Sequence, residues 1–377
     1  MEFYKQTKLG ILGGGQLGRM LIQSCIDFNV HTSVLDPDKD APCAGLANEF
    51  MQGSLTDYET VLNFGRGKDV LTIEIENVNA DALKTLRDEG VQVFPEPEAI
   101  KVIQDKRVQK QFYRDNGIPT SDFVLVDTKE ALSEHASFFP AFQKLGKAGY
   151  DGRGVYRIKD EGDLQNALDG PSVLEKLVDF DKEISVLVAR NTKGDVVTYP
   201  VVEMVFHPVH NLVEYLFSPA DVSAEIESKA RETAVKVIES LNMTGLLAVE
   251  MFIKDGQVLV NEVAPRPHNS GHQTIKANYT SQYEQHLRAI LGLSLGSTKV
   301  TKPSALVNLL GADGYKGDAK YQGVDEILSK EGVFLHLYGK KKTKPFRKMG
   351  HITILDDTLD NLKEKAEFVK KTIKVVA

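Results

Sequence analysis

Residues 9–20 read LGILGGGQLGRM: an apolar run, three consecutive glycines, then a resumption with helical periodicity. A strand, a tight turn and a helix N-terminus accommodate that pattern, because the glycines let the backbone turn where side chains would collide. Gly13-x-Gly15-x-x-Gly18 has the spacing of a dinucleotide-binding fingerprint. Ser33-Val34-Leu35-Asp36 then looks like a second strand ending in an acid placed for a ribose hydroxyl. Leu9–Leu12, Thr32–Leu35, Asp69–Ile75 and Val91–Phe94 read as strands, with helices at Leu17–Phe28 and Ala80–Asp88. That alternation predicts a parallel α/β sheet with helices on its faces, and a nicotinamide-dependent oxidoreductase is the first function it suggests.

The texture changes after Pro95-Glu96-Pro97. Ala99–Asn116 reads as one helix leading out of the first region. Strand patterns follow at Asp122–Val126, Ala141–Lys144, Gly154–Ile158, Ser172–Val178, Lys182–Arg190 and Val196–Val205, with a short helix near Asp163–Ala167. Ile226, Ala230, Ala234, Val237, Ile238 and Leu241 fit a 3.6-residue period over a helix at Ser223–Leu241. Leu246–Ile253 and Gln257–Val263 flank Asp255-Gly256, a hairpin signal. A helix at Tyr279–Leu291, strands at Ser304–Leu310, Val333–Gly339 and His351–Leu355, and a helix at Leu359–Lys371 complete an α/β region followed by an α+β region.

A chain of 377 residues has room for two or three domains. Its net charge of −7 argues against a general nucleic-acid binder, while leaving room for local basic sites. No apolar run approaches the length of a membrane span, and MEFYKQTK lacks a secretory core. Cys25 and Cys43 form no CxxC or Cys/His spacing, so neither a disulfide scaffold nor structural zinc is expected; a reducing cytoplasm is the default.

Three constellations carry candidate chemistry. Between Lys144 and Gly154, four glycines in nine residues lie between predicted strands, with Arg153 among them. Such backbone can cradle an anion, with Lys144 and Arg153 supplying charge; the plain alternative is an ordinary surface hairpin. No G-x-x-x-x-G-K-[ST] occurs, so a P-loop is not the explanation. Second, Glu250 and Glu262 lie on the two strands of the hairpin among apolar residues. Paired carboxylates there suit a hard Mg²⁺ ion that also binds nucleotide phosphates, and Asn261 offers a further oxygen; the alternative is that one or both face solvent. Strict pairing about a two-residue turn puts Glu250 opposite Asn261 and sends Glu262 to the other face, so shared ligation requires an odd-length loop or a bulge. Directly after come Arg266, His268, Asn269 and His272, stiffened by prolines and suited to an anion-handling wall. Third, residues 340–348 hold six basic side chains in nine positions, a solvated loop or a phosphate site.

Taken in order, these features resemble the ATP-grasp superfamily. GGGQLGRM, GYDGRG, NEVAPRPHNSGH and RKMGH are similar to the 5-(carboxyamino)imidazole ribonucleotide synthetases, from about Lys8 to about Ile354. The resemblance implies an N-terminal Rossmann-like (pre-ATP-grasp) domain over 1–103. An α+β ATP-grasp fold follows, with a small subdomain over 104–185 and a large subdomain with the C-terminal part over 186–377. It implies that ATP, bicarbonate and 5-aminoimidazole ribonucleotide (AIR) give the N5-carbamate, ADP and phosphate through carboxyphosphate, with Mg²⁺, in a cytoplasmic homodimer that hands its product to a mutase.

Residue by residue, it implies that Lys106 and Lys144 bind ATP phosphates and that Gly149, Tyr150, Asp151, Gly152, Arg153 and Gly154 close over them. Glu175, Lys176, Leu177 and Val178 match the adenine hinge, Glu183 the ribose acid, and Glu250 and Glu262, with Asn261 beside them, the magnesium ligands. Arg266, His268 and Asn269 match the bicarbonate or carboxyphosphate wall. Tyr150 and Asp151 lie by the AIR amine, with Asp151 orienting or deprotonating it. Lys340 and Arg347 match the ribonucleotide phosphate site, and Gln16 and Leu17 with Glu74 and Glu76 the AIR ribose and phosphate. The N-terminal fingerprint then does not hold a dinucleotide; its helix N-terminus serves AIR, and Asp36 is a structural or surface acid. Lys176 and His207-Pro208-Val209-His210-Asn211 depart from the pattern, the latter without an assigned role. The alternatives are a formate-dependent glycinamide ribonucleotide transformylase, whose phosphate loop favours a Ser/Gly/Lys run, a biotin carboxylase, for which the chain is short, and the NAD-dependent oxidoreductase.

Overall fold

The structure, a computed structural model, describes residues 6–147, 154–206 and 213–377. Residues 149–153 of the glycine-rich loop, with Tyr150, Asp151 and Arg153, and the 207–211 segment lie outside the described residues. The N-terminal region is a five-stranded parallel sheet in the order Glu49–Gln52, His31–Asp36, Lys8–Leu12, Val70–Ile73, Gln92–Val93. Its central strands are buried on both faces, as a parallel sheet covered by helices requires. The edge strand Glu49–Gln52 escapes the sequence pattern because it is short and mostly exposed, and the helix Tyr58–Gly65 because it spans only eight residues.

The segment 99–116 is two helices, Pro97–Gln104 and Lys106–Asp115, rather than one. Asp105 breaks it with an extended backbone, and its side chain accepts the Arg107 N–H at 3.0 Å as an N-cap. The Lys106 N–H thereby reaches the Gly146 carbonyl at 2.8 Å, fixing Lys106 to the base of the glycine-rich loop. Val196–Val205 is likewise split, into Val196–Thr198 and Val202–Phe206, on either side of Pro200.

Two antiparallel sheets follow. Four strands lie in the order Phe123–Val126, Ser172–Lys176, Ala141–Leu145, Val155–Ile158. A nine-stranded sheet runs Gln257–Ala264, Gly245–Lys254, Lys182–Arg190, Val202–Phe206, Val213–Ser218, Ser304–Leu310, Lys348–Leu355, Val333–Leu337, with Val196–Thr198 beside Lys182–Arg190. The helix Ala224–Ser240 buries Ala230, Ala234, Val237 and Ile238 against Ile184, Val186, Leu247 and Val249. The helix Gln282–Ile290 contributes Tyr283, Leu287 and Ile290 to a core shared with Leu17, Met20 and Leu21 of the first region. His286 on that helix joins the two regions: Nδ1 accepts the Leu246 N–H at 3.1 Å, and Nε2 lies 2.9 Å from Thr72 Oγ1. Among the described residues no helix is long and apolar enough to cross a membrane.

Candidate active site

The hairpin solves the parity problem at its strand, not its turn. Asp255 (φ 50°) and Gly256 (φ 74°) form a two-residue turn with Lys254 opposite Gln257. The register shifts farther along: Met251 pairs with Val260, but Glu250 pairs with Glu262, so Asn261 is the extra residue of a bulge. The bulge sets the two acids side by side, the condition for shared ligation.

Glu183 on the neighbouring strand adds a third carboxylate. Burial, then the charge of Glu262, pushes its pKa up to about 7 against the pull of Lys144. Glu250 is pushed well above the carboxylate range by burial, then by Glu262 and Glu183. Crowding by Glu262 raises the pKa of both Glu183 and Glu250, and a bound cation would relieve that repulsion. Among the described residues no group of three His, Cys, Asp or Glu side chains forms a metal cage. Two carboxylates completed by substrate oxygens are a donor set that hard Mg²⁺ accepts, so the residues fit that ion.

Cations border the acids. Lys106 Nζ is 3.6 Å from Glu262 Oε2, and Lys144 Nζ donates to Asn261 Oδ1 at 3.2 Å and to Glu175 Oε2 at 3.1 Å. Glu175 is buried, and although burial alone would raise its pKa, Lys144 and Lys110 together draw it down to about 2. Of the residues the resemblance assigns to an adenine hinge, Lys176 and Leu177 already donate their N–H groups to the Asp122 and Pro140 carbonyls, so neither of those two amides is free for a base.

On the other side of Glu250, His268 Nε2 lies 3.5 Å from Glu250 Oε1. The Ser270 N–H donates to His268 Nδ1 at 3.3 Å, which assigns the ring proton to Nε2. Burial, with Arg266 and Lys348 nearby, holds His268 well below its ordinary pKa, so it is a neutral donor at neutral pH. Arg266 forms a two-pronged ion pair with Glu76, Nε to Oε1 and Nη2 to Oε2 both at 3.0 Å. Glu76 is thus the partner of Arg266 in this structure. Asn269 does not face the acids with a free amide: it exchanges two hydrogen bonds with Asn308, at 2.9 and 3.0 Å. His272 is a buried core histidine held by Gln282 and Tyr283.

The N-terminal turn is filled by its own acids. Its helix N-terminus is occupied from within: Glu74 accepts the Gly15 and Leu17 N–H groups at 3.2 and 3.1 Å, and Asp36 accepts Gly14 N–H at 2.7 Å. Those three amides are paired within the fold, and Asp36 holds the turn. The glycines are needed by Glu74, since a Cβ at Gly15 would lie 2.4 Å from its Oε1. The basic loop comes close to this turn. Lys341 bridges Asp40 at 2.6 Å, a Cβ on Gly339 would lie 3.0 Å from Arg19 Nη1, and Tyr338 shares the core of Leu17. Lys340 donates to the Lys348 carbonyl at 2.8 Å and Arg347 to the Lys342 carbonyl at 2.6 Å.

Lys110, Glu76, Lys348 and Asn308 are the site neighbours that sequence reasoning missed or misplaced. Lys348 stands in the basic run already singled out; Lys110 lies four residues after Lys106, one helical turn on, and that spacing was its available signal.

The geometry of paired acids on a bulged hairpin, a lysine reaching them from a second antiparallel sheet and a preceding parallel domain defines an ATP-grasp protein. Family models agree: the ribonucleotide synthetase preATP-grasp domain matches residues 6–104, the ATP-grasp domain 111–283, and the phosphoribosylaminoimidazole carboxylase C-terminal domain 304–365. The chain is 38% identical over 365 residues to N5-carboxyaminoimidazole ribonucleotide synthase of Bacillus subtilis (strain 168), covering 95% of this chain and 93% of the relative. The synthetase structure from Thermotoga maritima superposes with a TM-score of 0.91 at 43% identity, over 98% of this chain and 99% of that one. An Aspergillus clavatus enzyme in complex with ADP and 5-aminoimidazole ribonucleotide matches with a TM-score of 0.88 at 33% identity, over 97% and 98%. The chain belongs to the N5-carboxyaminoimidazole ribonucleotide synthase family.

Proposed function

We infer that this chain carboxylates the amine of 5-aminoimidazole ribonucleotide with bicarbonate, converting ATP to ADP and phosphate, in de novo purine biosynthesis. The observation that carries the reading is the bulge at Asn261, which sets Glu250 beside Glu262 between Lys106 and Lys144 on one side and His268 and Arg266 on the other. A bicarbonate oxygen attacks the γ-phosphorus and ADP leaves, giving carboxyphosphate. The AIR amine nitrogen then bonds to the carboxyl carbon, phosphate departs and the amine loses a proton.

Lys144 and Lys106 hold the ATP phosphates in this reading, with 104–185 forming the small subdomain that closes on 186–377. Glu250 and Glu262 would hold Mg²⁺, which supplies charge neutralisation to the phosphate oxygens when bound. Arg266, His268 Nε2–H and Lys348 face the carboxyl and phosphoryl oxygens as preorganised donors. Asn269 orients the wall through Asn308. Asp151 is proposed to orient or deprotonate the amine; Asp151→Asn with unchanged AIR turnover removes that role. Gln16, Arg347 and Lys340 are proposed for the AIR ribose and phosphate, and 1–103 for carrying that half of the site. A cytoplasmic homodimer passing its product to a mutase belongs to the same proposal.

The deciding measurement is ADP release with Mg-ATP and bicarbonate, with and without AIR. Strong stimulation by AIR is expected. Stimulation by glycinamide ribonucleotide plus formate instead would move the assignment to the transformylase.

A further inference from the structure

Behind Lys144 lies a charge cluster whose buried ammonium, Lys110, has no part in the reaction above. Glu175 Oε2 accepts from Lys144 Nζ, Lys110 Nζ and Ser121 Oγ, each at 3.1 Å. Lys110 is 1% exposed, and its Nζ also donates to Thr120 Oγ1 at 2.6 Å and Ser121 Oγ at 3.1 Å. Thr120 in turn donates to the Val260 carbonyl at 2.6 Å, so the buried ammonium is tied to the strand that carries the Asn261 bulge.

A carboxylate with one lysine makes a neutral pair whose cation is held by its partner. With two lysines the cluster carries one net positive charge, and the cation with room to present it is Lys144, the more exposed of the two. We propose that Lys110 is a positioning residue: it serves as the buried counter-ion of Glu175, so that the charge of Lys144 is directed at the ATP phosphates instead of being cancelled by Glu175. This rests on the reading of Lys144 as a phosphate ligand. Burial pulls the Lys110 pKa down to about 8 against the support of Glu175, which leaves it predominantly protonated at neutral pH.

The test compares Mg-ADP with adenosine by calorimetry, because the ratio of their affinities isolates the phosphate contribution from the adenine hinge. In Lys110→Met the preference for Mg-ADP is expected to fall about tenfold, with kcat at saturating ATP within about threefold. The double variant Lys110→Met/Glu175→Gln removes both buried charges and again leaves Lys144 uncancelled, so the preference returns to within about threefold of the wild type. A purely structural lysine would weaken both ligands together, and the second substitution would not restore the ratio; either result overturns the inference. An unchanged ratio in a folded Lys110→Met protein overturns it as well. Where that single variant does not fold, the double decides alone: a tenfold loss of preference in it sinks the idea. A wild-type protein without any preference for Mg-ADP over adenosine would instead refute the reading of Lys144 on which the inference stands.

Discussion

Glu74 directly follows the strand Val70–Ile73 and Glu250 lies within the strand Gly245–Lys254, both largely enclosed, yet their surroundings differ. Glu74 receives two backbone N–H groups from the glycine turn and lies in the field of Arg266. Glu250 faces Glu262 and Glu183; Arg266 and Lys348 act on it at longer range, and among the described residues its near neighbour is His268 Nε2 at 3.5 Å, with no backbone N–H bound to it. A carboxylate saturated by its own fold is a structural element; carboxylates crowded together under-satisfied require something from outside. The difference separates an occupied anion cradle from the proposed cation site.

The largest expected effect tests the crowded side. Glu250→Gln or Glu262→Gln should lower AIR-dependent ADP release by about a thousandfold or more, since two carboxylates are the proposed protein ligands. The same change relieves like-charge repulsion, so the urea midpoint of the metal-free protein should rise. A variant that lost activity and stability together would put Glu250 in the same class as Glu74 and break the comparison.

Much of this was legible in the sequence because it rests on local geometry. Parity required an irregularity between Glu250 and Glu262 if the two acids were to share a ligand, and the glycine spacing alone indicated strand, turn and helix. The contents of the turn were not legible. Glu74 is 59 residues from Gly15, and only the parallel pairing of Lys8–Leu12 with Val70–Ile73 brings it there. Asn308 is hidden in the same way, 39 residues from Asn269 on a strand two places from the edge of the large sheet. A helical pattern running through residues 99–116 also concealed Asp105, whose capping role depends on the backbone conformation it adopts.

His286 sharpens the comparison because it joins the strand leading to Glu74, through Thr72, to the strand bearing Glu250, through Leu246. Burial lowers its pKa from 6.5 to about 4, and the Leu246 N–H requires the ring to be neutral at Nδ1. Between those two values the unfolded chain binds a proton that the native chain refuses, so stability falls as pH drops from about 6.5 toward 4. The contribution of this group reaches about 3 kcal/mol at the acid end. Urea midpoints across that window should flatten in His286→Gln, which should also be less stable than the wild type at pH 7. An unchanged pH slope would mean that other buried histidines, not this junction, set the acid limit.

On the saturated side, Glu74→Ala strands two N–H groups at a helix start and should destabilise the chain by about 2 kcal/mol by urea unfolding. Glu74→Gln keeps an acceptor and should lose less. If Glu74→Ala left stability intact while AIR binding collapsed, the acid would belong to the substrate site rather than to the turn.

The smallest effect concerns the acid that made the turn resemble a dinucleotide site. Asp36 Oδ2 accepts the Gly14 N–H at 2.7 Å, and Asn at that position retains an oxygen for the same bond. Asp36→Asn should therefore cost at most about 1 kcal/mol and leave the KM for AIR within about twofold. A ribose-binding acid behaves differently, because losing its charge weakens the bidentate acceptance of two hydroxyls. NADH fluorescence titration separates the two: neither wild type nor variant should give a saturable signal. A saturable signal that Asp36→Asn abolished would return the turn to dinucleotide binding, since it would require the carboxylate to release Gly14 in favour of a ligand.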